Sequence, residues 1–482
     1  MRKKILSLPK KNFMKNKYKN IIIGTGISAL GCAHALLKKK EKFIIIDAAQ
    51  DREFKPTKIL TLDDNFTPTK YNLPNHLDIL RKKAFGGNSL IWGANCSRMF
   101  PAQFKNWPIK YHHLEKYYEE AEKLLGVCHF QDQFSKYFNI KKFNYSNAKL
   151  YDPFIINQLN NITKSDKNLL VGYARLSLSN KCYACMNCFY GCKDNYIFSS
   201  KKWFENNLKK NIDIKFGLEL DHFKKNKNFI TLFFKKEKIN YHCEYLYLCA
   251  GTLSTTQIVL NSYDKKTQLN IKESQLFILP CFFLNKIIES KKIHTLSQLH
   301  LFFKNYKNIY FELKHDPELI KKIIKKKFLF FYHFIPNFIF KKIYIITGFL
   351  PDSYNNNYLQ LTNYKSDFFQ WKKKHNFLEE KKVKKELLKI IYLISKKLNF
   401  VYLSILLNIY SKGRSYHLGS SIPMQNFSTK EYIHTDIYGA LNFNKNVFIC
   451  DSSNFPDLPS SSIGLTILAN AMRIADKKKN NF

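Results

Sequence analysis

The chain has 482 residues, 45% hydrophobic and 16% aromatic, enough apolar material for two or three domains with sizeable cores, which excludes a disordered protein. Its 79 Lys and Arg against 37 Asp and Glu give a net charge of +42, yet arginine occurs only at positions 2, 52, 81, 98, 175, 414 and 473. Arginine is the preferred bidentate reader of phosphates and base edges, so the bias argues against nucleic acid as a partner; the lysines read as a solvated surface, with contact to anionic lipid or an acidic glycan as the alternative.

The N-terminal MRKKILSLPKKNFMKNKYKN is basic but has no apolar core of signal-peptide length, so a cytoplasmic location is expected. Eleven cysteines in that compartment point to reduced thiols or metal ligands rather than a disulfide framework. No stretch reaches the roughly 20 uninterrupted apolar residues of a membrane span.

From Ile21 to Asp47 an apolar run, IIIGTG, breaks into a glycine turn, a helix-like ISALGCAHALLKKK and a second strand, FIIID. This is the order of a dinucleotide-binding βαβ unit. Gly24 allows the tight turn, Gly26 lets the backbone approach a pyrophosphate, and Ala29 is the small packing residue of the helix. The helix N-terminus offers amides to phosphate, and Asp47 ends the second strand where a ribose hydroxyl would lie. Either FAD or NAD satisfies this pattern.

After a polar, Pro-bearing stretch (48–80) comes the glycine-rich AFGGNSLIWGANCSRMF. WPIKYHHLEKYYEEAEKLLGV then predicts a helix entered through Pro108, with Leu114, Tyr117, Tyr118, Ala121 and Leu124 on one face. KCYACMNCFYGCKDN places Cys182, Cys185, Cys188 and Cys192 in C-x2-C-x2-C-x3-C spacing, the run of bacterial ferredoxins, although Lys193 replaces the usual following Pro. Three outcomes are open for the 182–192 loop: an iron–sulfur cluster, a zinc knot, or a metal-free thiol loop. The other seven cysteines, at 32, 96, 128, 243, 249, 281 and 450, lie mostly in apolar stretches and read as core fillers.

Residues 212–250 alternate short strands with polar turns and finish in YLYLCAG, a return of the nucleotide-binding fold. Residues 271–410 hold aromatic-, Ile- and Lys-rich strand-like pieces. Within them FLFFYHFIPNFIF (328–340) is too short and interrupted to cross a bilayer; it reads either as a buried strand or helix, or as an interfacial segment docking through Lys321 to Lys327. NVFICDSS and TILANAMRIAD supply a last strand and helix.

Taken together, the segments resemble the glucose-methanol-choline (GMC) family of flavin oxidoreductases. FGGNSLIWG with the Trp-Pro helix after it, YLYLCAGTLSTTQIVLNS, HLGSSIPM and DSSNFPDLPSSSIGLTILANAMRIAD match that family's segments in order, while 271–410 adds almost nothing. The resemblance implies an α/β fold: a discontinuous Rossmann-like FAD-binding domain (17–130, 200–270, 412–480) with an inserted α+β substrate domain on an antiparallel sheet (131–199, 271–411).

It also implies FAD rather than NAD, and oxidation of a CH–OH group on an alcohol, sugar or lipid-linked intermediate. Gly24, Gly26, Ala29 and Asp47 would serve the ADP part. Gly86, Gly87, Asn88 and Ser89 would lie against the pyrophosphate and flavin, and Ala250, Gly251, Asp451 and Thr466 would complete the pocket. His417 corresponds to the family's catalytic histidine. Ser462 falls where the family places a second His or Asn, a departure, because serine donates a hydrogen bond but is a poor base. Some bacterial members carry an iron–sulfur cluster in a loop placed like 182–192, which would make the acceptor a partner protein. A flavin-binding protein with lost or partner-dependent catalysis, placed at a membrane surface, is the alternative.

Overall fold

The computed structural model describes residues 16–50, 83–140, 150–162, 168–186, 188, 192, 194–208, 212–286, 292–304, 309–327, 329–354, 357–363, 370–373, 377–410, 417–426 and 432–477. Most of the polar 48–80 stretch lies outside them.

Among the described residues the fold is mixed α/β and built on three sheets. In the first, Lys17–Ile23 sits at the centre, parallel to Phe43–Ile46 on one side and to Tyr241–Leu248 on the other. Asp213–Lys215 extends it beyond Phe43–Ile46, and Asn444–Ile449 extends it beyond Tyr241–Leu248, both in parallel. Residues 21–23, 43–46 and 246–248 of these strands are buried and apolar, as expected where both faces of a parallel sheet are covered. On one face the helices Ile27–Lys38 and Gly464–Lys477 lie against each other at Gly31, where a Cβ would come 2.7 Å from the Leu468 carbonyl oxygen. The helix Tyr111–Leu125 packs beside them and buries Leu114, Tyr117, Tyr118, Ala121 and Leu125, with Leu124 half-buried against the same core.

The second sheet is antiparallel. Its main path runs Val401–Tyr402, Gln275–Phe282, Ile343–Leu350, Ile309–Lys314, Ser297–Phe303, Leu169–Tyr173. Strict alternation gives it two unlike faces. Phe311 and Leu313 point into a core closed by Ile390, Ile391 and Ile394 of the helix Phe377–Leu398, whereas Tyr310, Glu312 and Lys314 take the other side. A third sheet joins Gln268–Glu273 to Asn357–Thr362, with the short strand Leu418–Gly419 on its other edge.

The 328–340 segment does not form a buried strand. Its described part makes two short helices, Leu329–Tyr332 and Asn337–Phe340, inserted between the second-sheet strands Ile309–Lys314 and Ile343–Leu350; only Phe340 of their side chains is described as buried. No helix among the described residues is long and apolar enough to cross a membrane.

Candidate functional site

The turn after the first strand is shaped by glycine. Gly24 has φ +101°, and a Cβ there would lie 2.6 Å from the Cys249 carbonyl oxygen, so a side chain is barred both conformationally and sterically. Gly26 instead faces open space, at the N-cap of a helix whose first turn holds no acid and no side-chain cap. Unfilled amides opening onto a clear approach suit a pyrophosphate, so this cradle fits a dinucleotide.

Asp47 closes the cradle. Its Oδ2 accepts from Thr25 Oγ1 at 2.6 Å and its Oδ1 from the Ala49 amide at 2.7 Å; burial pushes its pKa up, and those bonds oppose the rise. The Gly86 amide donates to the same Thr25 hydroxyl at 2.9 Å. A Cβ on Gly87 would stand 3.1 Å from the Gly26 Cα, so the two glycine loops touch. Ser89 is buried and ties this loop to the Gly86 carbonyl and to the Ser200 amide, while Asn88 is exposed. Ala29 is wholly buried, although the tightest helix approach falls at Gly31.

Across the sheet, Ala250 is half-buried and leads into Gly251, which has φ +79° and caps the helix Thr252–Asn261 while opening to space. Asp451 accepts from Thr255 Oγ1 at 2.5 Å and from the Ser453 amide at 3.0 Å; burial raises its carboxyl against those bonds. Thr466, in the first turn of the last helix, meets the Tyr118 hydroxyl at 2.9 Å.

His417 lies where the third sheet meets the polar face of the second. The Ser274 amide donates to its carbonyl at 3.2 Å, and its ring is tilted against Phe349, centroids 3.9 Å apart. Burial pushes its pKa down to about 4, Lys314 pushing the same way and the Glu312 carboxylate pulling back, so at neutral pH the imidazole is uncharged.

Glu312 is buried, which alone would raise its pKa, yet Lys314, His300 and the hydrogen bonds from Lys314 and Ser297 hold it at about 2. Lys314 Nζ is 2.8 Å from Oε2, and Asn95 Nδ2 donates to Oε1 at 2.5 Å. Ser462 Oγ donates to the Asn95 carbonyl at 3.4 Å, so Ser462 is linked to this cluster through Asn95.

His300 pairs with Glu312 across the strands and Glu312 with Thr347. The Arg175 amide donates to His300 Nδ1 at 3.3 Å, which puts the proton of the neutral ring on Nε2. Among the described residues His300 Nε2, Thr347 Oγ1 and Ser274 Oγ are buried with no hydrogen-bond partner. Such orphans cost free energy unless a ligand or water meets them, which marks this face as a polar binding wall.

The four loop cysteines are half-buried except Cys185, which is exposed. The Ala184 amide donates to Cys182 Sγ at 3.4 Å and the Tyr196 amide to Cys192 Sγ at 3.2 Å; Ala184 and Met186 have φ +56° and +65°. A tetrahedral zinc with bonds of about 2.3 Å needs its sulfurs about 3.8 Å apart. Among the described residues the sulfurs gathered within 4.8 Å of one another belong instead to Cys32, Cys249 and Cys450, all buried beneath the first helix. In that trio burial works to raise the Cys32 thiol, but hydrogen bonds from Cys249 and Cys450 bring it to about 6.

Sequence reasoning passed over Thr25, Asn95, His300, Glu312 and Lys314. For the last two a signal existed: in IYFELK the polar residues fall at period two, the mark of a strand with one polar and one apolar face. Thr25 and Asn95 carry no such signal, because their partners lie 22 and 217 residues away.

The parallel sheet with its glycine cradle, set beside an antiparallel sheet with a polar inner face, is a fold shared with solved structures of two oxidases. Pyridoxine 4-oxidase from Mesorbium loti superposes with a TM-score of 0.59 at 11% identity, over 95% of this chain and 98% of that one. Two variants of Aspergillus oryzae RIB40 formate oxidase, solved for the effect of mutation on FAD modification, give TM-scores of 0.59 and 0.60 at 11% and 10% identity, each over 96% of this chain and 98% of theirs. No family profile and no curated protein matches the sequence. At this identity the likeness establishes the fold and leaves the substrate open.

Proposed function

We propose that the chain is an FAD-dependent oxidoreductase that oxidises a CH–OH group of an alcohol, sugar or lipid-linked glycan intermediate, with His417 as the base. The observation that carries this reading is a neutral His417 set beside a wall of buried, partner-seeking polar atoms, where the third sheet meets the second. Bound FAD would supply the hydride acceptor.

The residues of this chain divide the remaining work. Gly24, Gly26, Gly86, Gly87 and the uncapped first helix would hold the pyrophosphate, with Asp47 on the adenosine ribose and Gly251, Asp451 and Thr466 closing the far side. His417, uncharged near pH 7, would accept the hydroxyl proton on a ring nitrogen. The Nε2–H of His300 would donate to a substrate oxygen, and Ser462 would help only as a donor. Phe349 packs on the imidazole and restricts its rotation.

The Cys182–Cys192 loop is proposed to hold an iron–sulfur cluster passing electrons to a partner protein. Its amide-to-sulfur hydrogen bonds and two left-handed non-glycine residues support a loop pre-shaped around thiolates.

The test is the visible spectrum of anaerobically purified protein, with iron and sulfide assayed on the same sample, followed by titration with a panel of alcohols and sugars. Flavin bands that bleach with one of them, together with about four irons per chain, are expected. Protein without flavin defeats the reading. Flavin that no panel member reduces favours the non-catalytic alternative, for which the weak helper at Ser462 speaks. His417→Asn should keep its flavin and lose reduction; unchanged rates would remove His417 from the mechanism.

A further inference from the structure

The insertion between the strands Ile309–Lys314 and Ile343–Leu350 has one packed side and one bare side. Ile320 and Ile324 of the helix Pro317–Lys327, with Phe340, cover Ile343 and Ile345 of the sheet. Away from the sheet Leu329 is 61% exposed, Phe330 74%, Phe334 73% and Phe338 54%, with the Phe330 and Phe334 rings 5.8 Å apart. Leu284, 54% exposed, is tied to the same insertion, since Lys342 Nζ donates to its carbonyl at 3.3 Å. A folded protein seldom leaves several large apolar side chains bare in one place without a use for them.

The charge around the rim selects the partner. Residues 317–343 hold seven lysines and one acid, Glu318, which already pairs with Lys321 at 2.9 Å. Aromatic rings bordered by lysine ammonium groups match a bilayer whose apolar boundary lies just under an anionic headgroup layer. These helices are too short to span, so the contact is a surface one.

We propose that this face docks the protein peripherally on an anionic phospholipid bilayer, with Phe330, Phe334 and Phe338 entering the headgroup–acyl boundary and Lys321, Lys322, Lys325, Lys341 and Lys342 lying in the headgroup layer. The strand Ile343–Leu350 links this platform to the candidate site. Ile343 and Ile345 lie under the helices, while Phe349, on the same face, touches His417 about 20 Å further along at the usual rise of a strand. Docking does not depend on the flavin reading and stands or falls separately from it.

The experiment is co-sedimentation of the purified holoprotein with vesicles of phosphatidylcholine containing phosphatidylglycerol, and with phosphatidylcholine alone, at physiological ionic strength. Wild type should bind the anionic vesicles and bind the neutral ones weakly. The variant Phe330→Ser/Phe334→Ser/Phe338→Ser should lose binding by about tenfold or more, given the apolar area withdrawn from the bilayer. Its bound flavin and circular dichroism should match wild type, as expected for exposed side chains.

Lys384→Gln/Lys385→Gln/Lys389→Gln, on the exposed face of the Phe377–Leu398 helix, removes three positive charges elsewhere on the surface and should retain most binding. In a second measurement, Phe334→Trp should shift its emission to the blue with anionic vesicles. The proposal is overturned if wild type ignores anionic vesicles, which would give the patch to a protein partner. It is equally overturned if the Phe variant binds like wild type, which would reduce the effect to general adsorption of a basic protein.

Discussion

The Thr25 hydroxyl donates to the Asp47 carboxylate at 2.6 Å and accepts the Gly86 amide at 2.9 Å, so one side chain fastens the first glycine turn to both the end of the second strand and the second glycine loop. Thr25→Val keeps the shape and deletes the hydroxyl, leaving a buried amide and carboxylate oxygen short of partners. Stability should fall by about 1–3 kcal/mol, read by denaturant unfolding. Flavin retained through gel filtration should drop more than stability does, because both walls of the cradle loosen.

Gly31 marks where the first and last helices meet. A Cβ there would be 2.7 Å from the Leu468 carbonyl oxygen and 3.0 Å from the Ala471 Cβ, neither of which can swing away. Gly31→Leu should therefore cost more than about 3 kcal/mol or abolish soluble expression. Gly126→Ala, at φ +61° but facing open space, should cost only about 1 kcal/mol in thermal unfolding.

Arg98 and Glu122 form a buried two-pronged pair, Nε to Oε1 at 2.7 Å and Nη2 to Oε2 at 2.6 Å. Glu122→Ala would leave the guanidinium buried without its carboxylate, and a loss on the order of 3–5 kcal/mol is expected in urea unfolding. Replacing both residues with Met should recover part of that loss, since the isolated charge rather than the missing attraction carries most of it.

Acid should destabilise the protein through its buried histidines. Burial lowers His129 and His300 to about 3 and His294, His315 and His417 to about 4, while the unfolded chain titrates near its usual value of about 6.5. Between those values the unfolded state binds more protons, so stability falls as pH drops from about 6.5 toward 4 and is flat above that window; each histidine contributes up to about 1.4 kcal/mol per pH unit. Unfolding midpoints measured from pH 8 to pH 4.5 check the slope.

With His417 as the proposed base, the same shift would set the acid limb of kcat/KM below the ordinary histidine value. Glu312→Gln should move that limb lower still, because the carboxylate that favours protonated His417 is gone. A limb that moves upward would contradict the electrostatics described for this site.

How far the sequence reached differs element by element. The run from Ile21 to Asp47 is legible because its strand, turn, helix and strand are local, and glycine is the residue a φ of +101° calls for. The Trp-Pro helix is legible from its 3.6-residue period: Leu114, Tyr117, Tyr118 and Ala121 are buried, Leu124 packs half-buried on the same core, and Leu125 joins them. The segment 328–340 was ambiguous because a short apolar run has the same composition whether it is covered or bare.

By itself the sequence determined the strand–turn–helix–strand unit from Ile21 to Asp47, the acid that ends it and the cysteine spacing. Each of these lies within a span of about thirty residues or fewer. Only the tertiary structure decided that Thr25 joins Asp47 to Gly86, that Asn95 reaches Glu312, that Cys32, Cys249 and Cys450 converge, and that His417 meets Phe349 beside a wall of unpaired polar atoms. Those contacts link chain positions up to several hundred residues apart. They depend on how the sheets and helices pack, which no local pattern of residues encodes.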